Sequence, residues 1–194
     1  MRVLLHACCG PCLLEPFDAL VAEHDVTVLY ANPNIHPAEE YRHRRDTLLE
    51  YTSASGIDVI EEPYDPVVWM QAVAGLERTP AERCRACFGL RLGIAAKTAA
   101  SLGFEAIATT LTVSPYQDQA AVAEAGEAAA AEAGIAYLDQ DFRERYPEAT
   151  RRSRDLGMYR QNYCGCMLSD IEAQSEREAR RQERRARRED RSGS

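Results

Sequence analysis

The seven cysteines of this 194-residue chain fall into three short groups, Cys8-Cys9-Gly10-Pro11-Cys12, Cys84-Arg85-Ala86-Cys87 and Cys164-Gly165-Cys166. Each group has chelate spacing, and thiolate is the form of sulfur that binds soft metals or attacks disulfides. Gly10 and Pro11 permit a tight turn that aims neighbouring thiolates at one centre. Cys84 and Cys87 stand at i and i+3 near the start of an expected helix, where they face the same way and the helix dipole favours thiolate. Together Cys8, Cys9, Cys84 and Cys87 satisfy the four-cysteine ligation of a four-iron, four-sulfur cluster. Zinc accepts the same count, although structural zinc usually draws on two separated C-x-x-C knuckles and a vicinal pair is an awkward substitute. Burial as small hydrophobes and a redox disulfide system are the remaining readings.

Two polar runs follow expected strands: Asn32-Pro33-Asn34-Ile35-His36-Pro37, and Thr109-Thr110-Leu111-Thr112-Val113-Ser114-Pro115-Tyr116. In a parallel sheet both lie on the same edge as Cys8 and Cys9, which makes one rim where ligands bind. Each run also reads as an ordinary turn, since Asn-Pro-Asn and Ser-Pro start many loops. No G-x-x-x-x-G-K-[ST] phosphate loop and no G-x-G-x-x-G dinucleotide fingerprint is present, so no ATP or nicotinamide motif supports either cofactor.

A chain of this length buries roughly 70% of its unfolded surface and needs no disulfide scaffold. The N-terminal apolar run is too short for a signal peptide, and no segment approaches the ~18 apolar residues of a membrane span. A cytoplasmic protein without a membrane partner is expected, in a compartment where structural disulfides are rare. Net charge is −8, and from Glu172 onward eight Arg face five Glu and one Asp, so the first 171 residues carry the whole acidic excess. An acidic body argues against general nucleic-acid affinity, because phosphate contacts dominate such binding. Any RNA contact must be local, at Arg143, Arg145, Arg151, Arg152, Arg154 and Arg160, or along the tail from Arg177 to Arg191.

The apolar pattern alternates between short β-like runs and helical periods, as in an α/β fold with a parallel sheet and crossover helices. Strands are expected at Arg2 to His6, Val26 to Ala31, Asp58 to Glu61, Glu105 to Thr110 and Ala136 to Leu138. Leu13, Leu14, Phe17, Leu20 and Val21 mark a helix between the first two strands, and Ala38 to Ser55, Ala81 to Leu102 and Gln117 to Ala133 supply later crossovers. Two parts are expected, a metalloenzyme domain over 1–171 and an Arg/Glu-rich helical or disordered tail over 172–194. The stretch Ser175 to Asp190 favours helix but has no apolar stripe to dock, and a solvated charged helix is preferred to an RNA-gripping one. Ser192-Gly193-Ser194 is an uninformative terminus.

Taken together the residues resemble the QueH-type epoxyqueuosine reductases, which reduce epoxyqueuosine to queuosine in tRNA. The resemblance covers nearly all of residues 2–170. It is carried by Leu5-His6-Ala7-Cys8-Cys9-Gly10-Pro11-Cys12, Asn32-Pro33-Asn34-Ile35-His36-Pro37, Tyr41 and Arg44, Tyr64-Asp65, and Arg83-Cys84-Arg85-Ala86-Cys87-Phe88. Further carriers are Arg91-Leu92, the run from Thr109 to Pro115, and Tyr159-Arg160-Gln161-Asn162-Tyr163-Cys164-Gly165-Cys166. It implies a Rossmann-like fold of the PP-loop/HUP kind, with the first strand-helix turn converted from phosphate to metal binding. It also implies a four-iron cluster with an additional mononuclear iron, to whose ligand set Cys12 is assigned. Cys12, Cys164, Cys166, Tyr159 and Tyr163 are then the expected catalytic residues. Asn32, Asn34, His36, Thr110, Ser114, Arg160 and Gln161 are the expected substrate-binding residues. Gln117 stands where the family often has Lys, and Phe142 to Pro147 replaces a more Lys-rich segment.

Converting an epoxide to an alkene removes oxygen as water and consumes two electrons and two protons, which thiols and ordinary acids do not readily manage alone. The resemblance thus implies tRNA carrying epoxyqueuosine and an external electron donor as partners. Tyr159, Tyr163 or His36 are the candidate proton donors. A zinc-stabilised RNA-binding module without redox activity and a thiol-disulfide oxidoreductase using Cys164 and Cys166 are the two rival readings.

Overall fold

A computed structural model describes residues 1–192, with side chains through Arg184; Gly193 and Ser194 lie outside the described residues, as do the side chains of Arg185 to Arg191 in the expected basic tail. Five strands, β1 (Arg2–His6), β2 (Asp25–Tyr30), β3 (Val59–Glu61), β4 (Ala106–Thr109) and β5 (Ala136–Tyr137), form one sheet of order β3-β2-β1-β4-β5. All four pairings are parallel, with Leu5 opposite Val28 on one side and Ala108 on the other.

Strand alternation divides the core. Val3, Leu5 and Ala7 point to one face, where they meet Leu13 and Leu20 of α1 (Gly10–Val21), Leu48 of α2 (Ala38–Ser55) and Ala149 of α6 (Tyr146–Asp155). Leu4, Leu29 and Ile107 point to the other, against Phe88, Leu92 and Ala96 of α4 (Pro80–Ser101) and Val122 and Ala130 of α5 (Gln119–Ala133). Sheet residues buried on both faces give the near-continuous apolar runs seen in β1 and β2. Each fully buried aliphatic side chain contributes roughly 1.5–3 kcal/mol against the entropy of ordering the chain. The alanines of α4 and α5 let these helices approach closely. At Gly126 the approach is absolute, because a Cβ there would lie 2.4 Å from the Tyr137 ring.

Two helices stand where the sequence signals only loop. The short α3 (Pro66–Ala72) has too few turns to show a period, although Asp65 caps it by accepting from the Val67 amide at 2.9 Å. In α6 the Arg-rich composition hides the helix, whose buried residues are only Ala149 and Ser153. The polar run after β4 begins with a buried 3-10 turn, Thr110–Val113. The C-terminal helix α7 (Met167–Ser192) starts eight residues before the expected Ser175. Its first turns dock, with Leu168 against Trp69 and Cys166 and with Glu172 on Arg83 at 2.8 Å. The expected 171/172 boundary falls inside this helix. No described helix is long and apolar enough to cross a membrane.

Candidate functional site

After β3 the chain returns across β1 to lay down β4, so the crevice at the carboxyl ends of β1 and β4 is the switch point where α/β sheets bind ligands. His6 spans this point. Its Nδ1 lies 2.9 Å from Thr109 Oγ1 and its Nε2 3.3 Å from the Ala31 carbonyl, which can only accept. Burial holds the ring neutral, lowering its pKa to about 3.

The turn that follows carries the first sulfurs. Cys9 is the extended N-cap of α1, Gly10 and Pro11 open the helix, and Cys12 comes back one turn later beside Cys9. The Sγ atoms of Cys8, Cys9 and Cys12 all lie within 4.8 Å of one another, and those of Cys8 and Cys9 are 3.8 Å apart. Hydrogen bonding from Cys12 and Cys9 holds the Cys8 thiol well below its usual pKa, and Thr110 Oγ1, 3.5 Å from its sulfur, adds to this. Cys12 is raised because its proton is engaged by Cys8, and burial pushes Cys9 up to about 12. Gln161 caps the trio, its Nε2 donating to Cys9 Sγ at 3.0 Å.

The other four cysteines face the trio across one cavity of about 580 Å3, lined by Cys8, Cys12, Cys84, Cys87, Cys164 and Cys166 among others. Cys84 and Cys87 stand in the second turn of α4, beyond the end where the dipole acts, and burial wins: Cys84 is raised to about 11 and Cys87 to about 12. Burial thus opposes the thiolate preference expected of them, and a bound cation would favour thiolate. Cys87 and Cys166 pack with Trp69 and Val73, while Cys164 is exposed; all seven cysteines are unbridged.

Asn34, Thr110, Ser114, Gln161 and Tyr163 also line the cavity. Asn32 and His36 lie behind its wall. Arg160 borders a separate recess of about 60 Å3 with Cys12 and Gln161. Tyr159 points away and donates to Glu40 Oε2 at 2.5 Å, and Tyr163 donates to the His36 carbonyl. Both phenols are raised to about 12, chiefly by burial. His36 gives its Nδ1 proton to the Asn34 carbonyl at 2.7 Å, and burial lowers its pKa, so its buried Nε2 carries no proton to donate at neutral pH.

Sequence reasoning passed over one wall residue, Trp69, and named two others, Arg83 and Arg91, only as carriers of the family resemblance, with no role at the site. The single Trp follows the Asp65-Pro66 helix start, and Arg91 is two turns beyond Cys84, signals that are legible only once α3 and α4 are placed. Among the described residues, five buried polar atoms of the wall have no partner: Asn34 Oδ1, Trp69 Nε1, Arg83 Nε, Arg91 Nε and Gln161 Oε1. Unsatisfied groups concentrated in one cavity mark a place built for a polar ligand. The soft, clustered thiol set fits iron-sulfur or zinc and does not fit hard cations, which take oxygen.

A family model described as epoxyqueuosine reductase QueH matches residues 3–172. The epoxyqueuosine reductase QueH of Streptococcus pyogenes serotype M1 is 34% identical over 177 residues, covering 86% of this chain and 69% of that protein. Its counterpart in Dehalococcoides mccartyi is 34% identical over 173 residues, 88% of this chain and 93% of that one. The Thermotoga maritima protein of the same name is 32% identical over 177 residues, 88% and 91% of the two chains.

Proposed function

The chain belongs to the QueH family of epoxyqueuosine reductases, which are oxidoreductases, and on that premise we propose that it reduces the epoxide of epoxyqueuosine in a tRNA anticodon to the alkene of queuosine. Two electrons come from an external donor, two protons join the departing oxygen, and water leaves. The observation that carries the reading is the Cys8-Cys9-Cys12 trio at the sheet switch point, facing Cys84 and Cys87 across one cavity.

Cys8, Cys9, Cys84 and Cys87 would hold a four-iron, four-sulfur cluster, with Cys12 and the nearby Cys164 and Cys166 available to a second iron. Such a centre, when bound, supplies one-electron transfers and Lewis acidity toward the epoxide oxygen. The chain's own groups do the rest. Gln161 orients the trio through its amide, and Asn34 Oδ1 and Gln161 Oε1 stand ready to accept hydrogen bonds from substrate hydroxyls and amines. Of the three expected proton donors, Tyr163 is the one that lines the cavity, beside Tyr116 and Tyr146, and is favoured by position once its hydroxyl leaves the His36 carbonyl, because Tyr159 faces Glu40 and His36 lacks a proton at Nε2. An anticodon nucleotide is unpaired and can leave its stack to enter a recess of this size. Residues 1–171 supply the cysteines and Tyr163, α7 adds Glu172, Glu176 and Arg180 to the cavity wall, and the protein acts in a cytoplasm where free thiols persist.

The test is anaerobic purification with iron and sulfide analysis, visible absorption and a single-turnover assay on tRNA carrying epoxyqueuosine. Brown protein that forms queuosine is expected. Colourless protein holding only zinc, or disulfide reduction by iron-free protein, would establish a rival instead. Cys84→Ser and Cys87→Ser should bleach the absorption, and full retention of iron and sulfide in either defeats that ligand assignment.

A further inference from the structure

Among the described residues three arginines are almost wholly buried, and they are not equivalent. Arg44 has Glu40 at 2.6 Å and Arg83 has Glu172 at 2.8 Å. Arg91, 1% exposed, has no carboxylate at ion-pair distance among the described residues. Its Nη2 donates to Asn32 Oδ1 at 2.7 Å, and its Nε has no partner among the described residues. A buried guanidinium in such surroundings is strongly unfavourable unless something anionic faces it.

The carboxylates on the cavity wall, Glu172 and Glu176, are taken by Arg83 and Arg180. What faces Arg91 is sulfur. Cys84, Cys87 and Arg91 stand at i, i+3 and i+7 on α4, one face of the helix, and all line the cavity with Cys8 and Cys164. Cys8, Cys87 and Cys164 all feel the Arg91 charge. On its other side the neighbouring titratable group is His6, kept neutral by burial. Asn32 continues the contact, its Nδ2 donating at 2.9 Å to the carbonyl of Ala7, in the peptide that leads into Cys8. One chain of hydrogen bonds thus ties the α4 wall to the Cys8 turn.

We propose that Arg91 is the fixed counter-charge of the sulfur centre in this cavity, a positioning residue that favours the more negative, reduced form of that centre and braces the Cys8 turn through Asn32. This rests on the reading that the thiols hold an iron-sulfur centre. A fixed positive charge in a low-dielectric wall acts at close range with little screening, so its removal raises the free energy of the reduced state more than that of the oxidised one.

Arg91→Gln and Arg91→Lys separate charge from shape, since Gln keeps a donor for Asn32 and Lys keeps the charge. Wild type and both variants are loaded anaerobically, assayed for iron and sulfide, and titrated for reduction potential by visible absorption. Arg91→Gln should favour the oxidised form about tenfold, a midpoint about 59 mV lower for one electron, with Arg91→Lys near wild type. Failure of Arg91→Gln to fold or load, with Arg91→Lys loading normally, also marks the charge as required. A wild-type potential in Arg91→Gln, equal shifts in both variants, or failure of both to load would overturn the proposal. Wild type that takes up no iron sinks the iron-sulfur reading itself, whereas normally loaded wild type with unshifted variants removes Arg91 alone.

Discussion

Arg44 Nη1 donates to the carbonyl oxygen of Cys164 at 2.8 Å, so a side chain of α2 holds the backbone of a cavity-wall cysteine 120 residues away. Nη2 reaches the Tyr163 carbonyl at 3.1 Å, Nε is on Glu40 Oε1 at 2.6 Å, and the other Glu40 oxygen accepts from Tyr159. A single buried guanidinium, itself 1% exposed, therefore fixes most of the segment that presents Tyr163, Cys164 and Gln161 to the cavity.

Arg44→Met should cost about 3–5 kcal/mol, because it leaves Glu40 buried without its cation. Replacing both partners, Glu40→Leu with Arg44→Met, should recover a substantial part of that loss. Urea denaturation measures the stabilities, and amide exchange at Tyr163 to Cys166 reports the segment. Unchanged exchange in a folded Arg44→Met protein would show that the clamp is not what orders it.

Gly165 marks the other end of this clamp. Its φ is +140°, a region open to glycine and strained for other residues, and a Cβ would lie 3.1 Å from Ile35 Cγ1 and 3.2 Å from Arg44 Nη1 and Asn34 Nδ2. Its carbonyl also accepts from the His36 amide at 2.8 Å. Gly165→Ala should cost about 1–3 kcal/mol in backbone strain and shift Cys164 and Cys166 relative to α4. Thermal melting gives the first effect, and alkylation of exposed Cys164, which should speed up, gives the second.

The strands were legible because Val3, Leu5 and Ala7 against Leu4 is a period-2 pattern that burial on both faces turns into an apolar run, and β1 has the expected bounds. The Cys8-Cys9-Cys12 turn was legible as a chelate because its geometry is local. Which groups share a wall was not, since the neighbourhood of Cys87 and Cys166 is made by Trp69 on a helix of seven residues with no readable period. The same holds for Arg91 and Asn32, whose bond joins residues 59 apart through the packing of α4 on the sheet. The basic stretch from Arg143 to Arg160 was visible as composition, while its partners were not.

Those partners bear on tRNA binding. Arg143 is held by Asp141, Arg145 by Glu15, Arg151 by Glu148 and Asp155, and Arg152 by Glu15 and Asp18. Arg154 and Arg160 are exposed and make no ion pair among the described residues. Arg154→Ala and Arg160→Ala should each weaken tRNA binding and lower the salt slope by about one unit, with a smaller effect from Arg151→Ala. Arg152→Ala should instead lower stability, because it unlinks α6 from α1. Filter binding across a salt series decides this, and an unchanged slope in the Arg154/Arg160 double variant would move the RNA to another surface.

The last prediction concerns pH. His36 packs against the Trp69 ring at 5.0 Å between centroids, gives its Nδ1 proton to Asn34, and has a pKa depressed below 6.5, chiefly by burial. The unfolded chain takes up a proton as pH falls below 6.5 while the folded protein resists it, so stability rises with pH through that window and is lost as pH drops. His6, lowered to about 3, adds a loss of the same sign between 6.5 and 3. Each group changes stability by at most about 1.4 kcal/mol per pH unit. Urea midpoints of wild type should therefore fall steadily from pH 7 to pH 5, and His36→Gln, which lacks the titrating ring but keeps a donor for Asn34, should fall less steeply. Parallel pH profiles for the two proteins would mean that His36 titrates as freely in the fold as in the unfolded chain, and that its buried Nε2 is open to solvent protons after all.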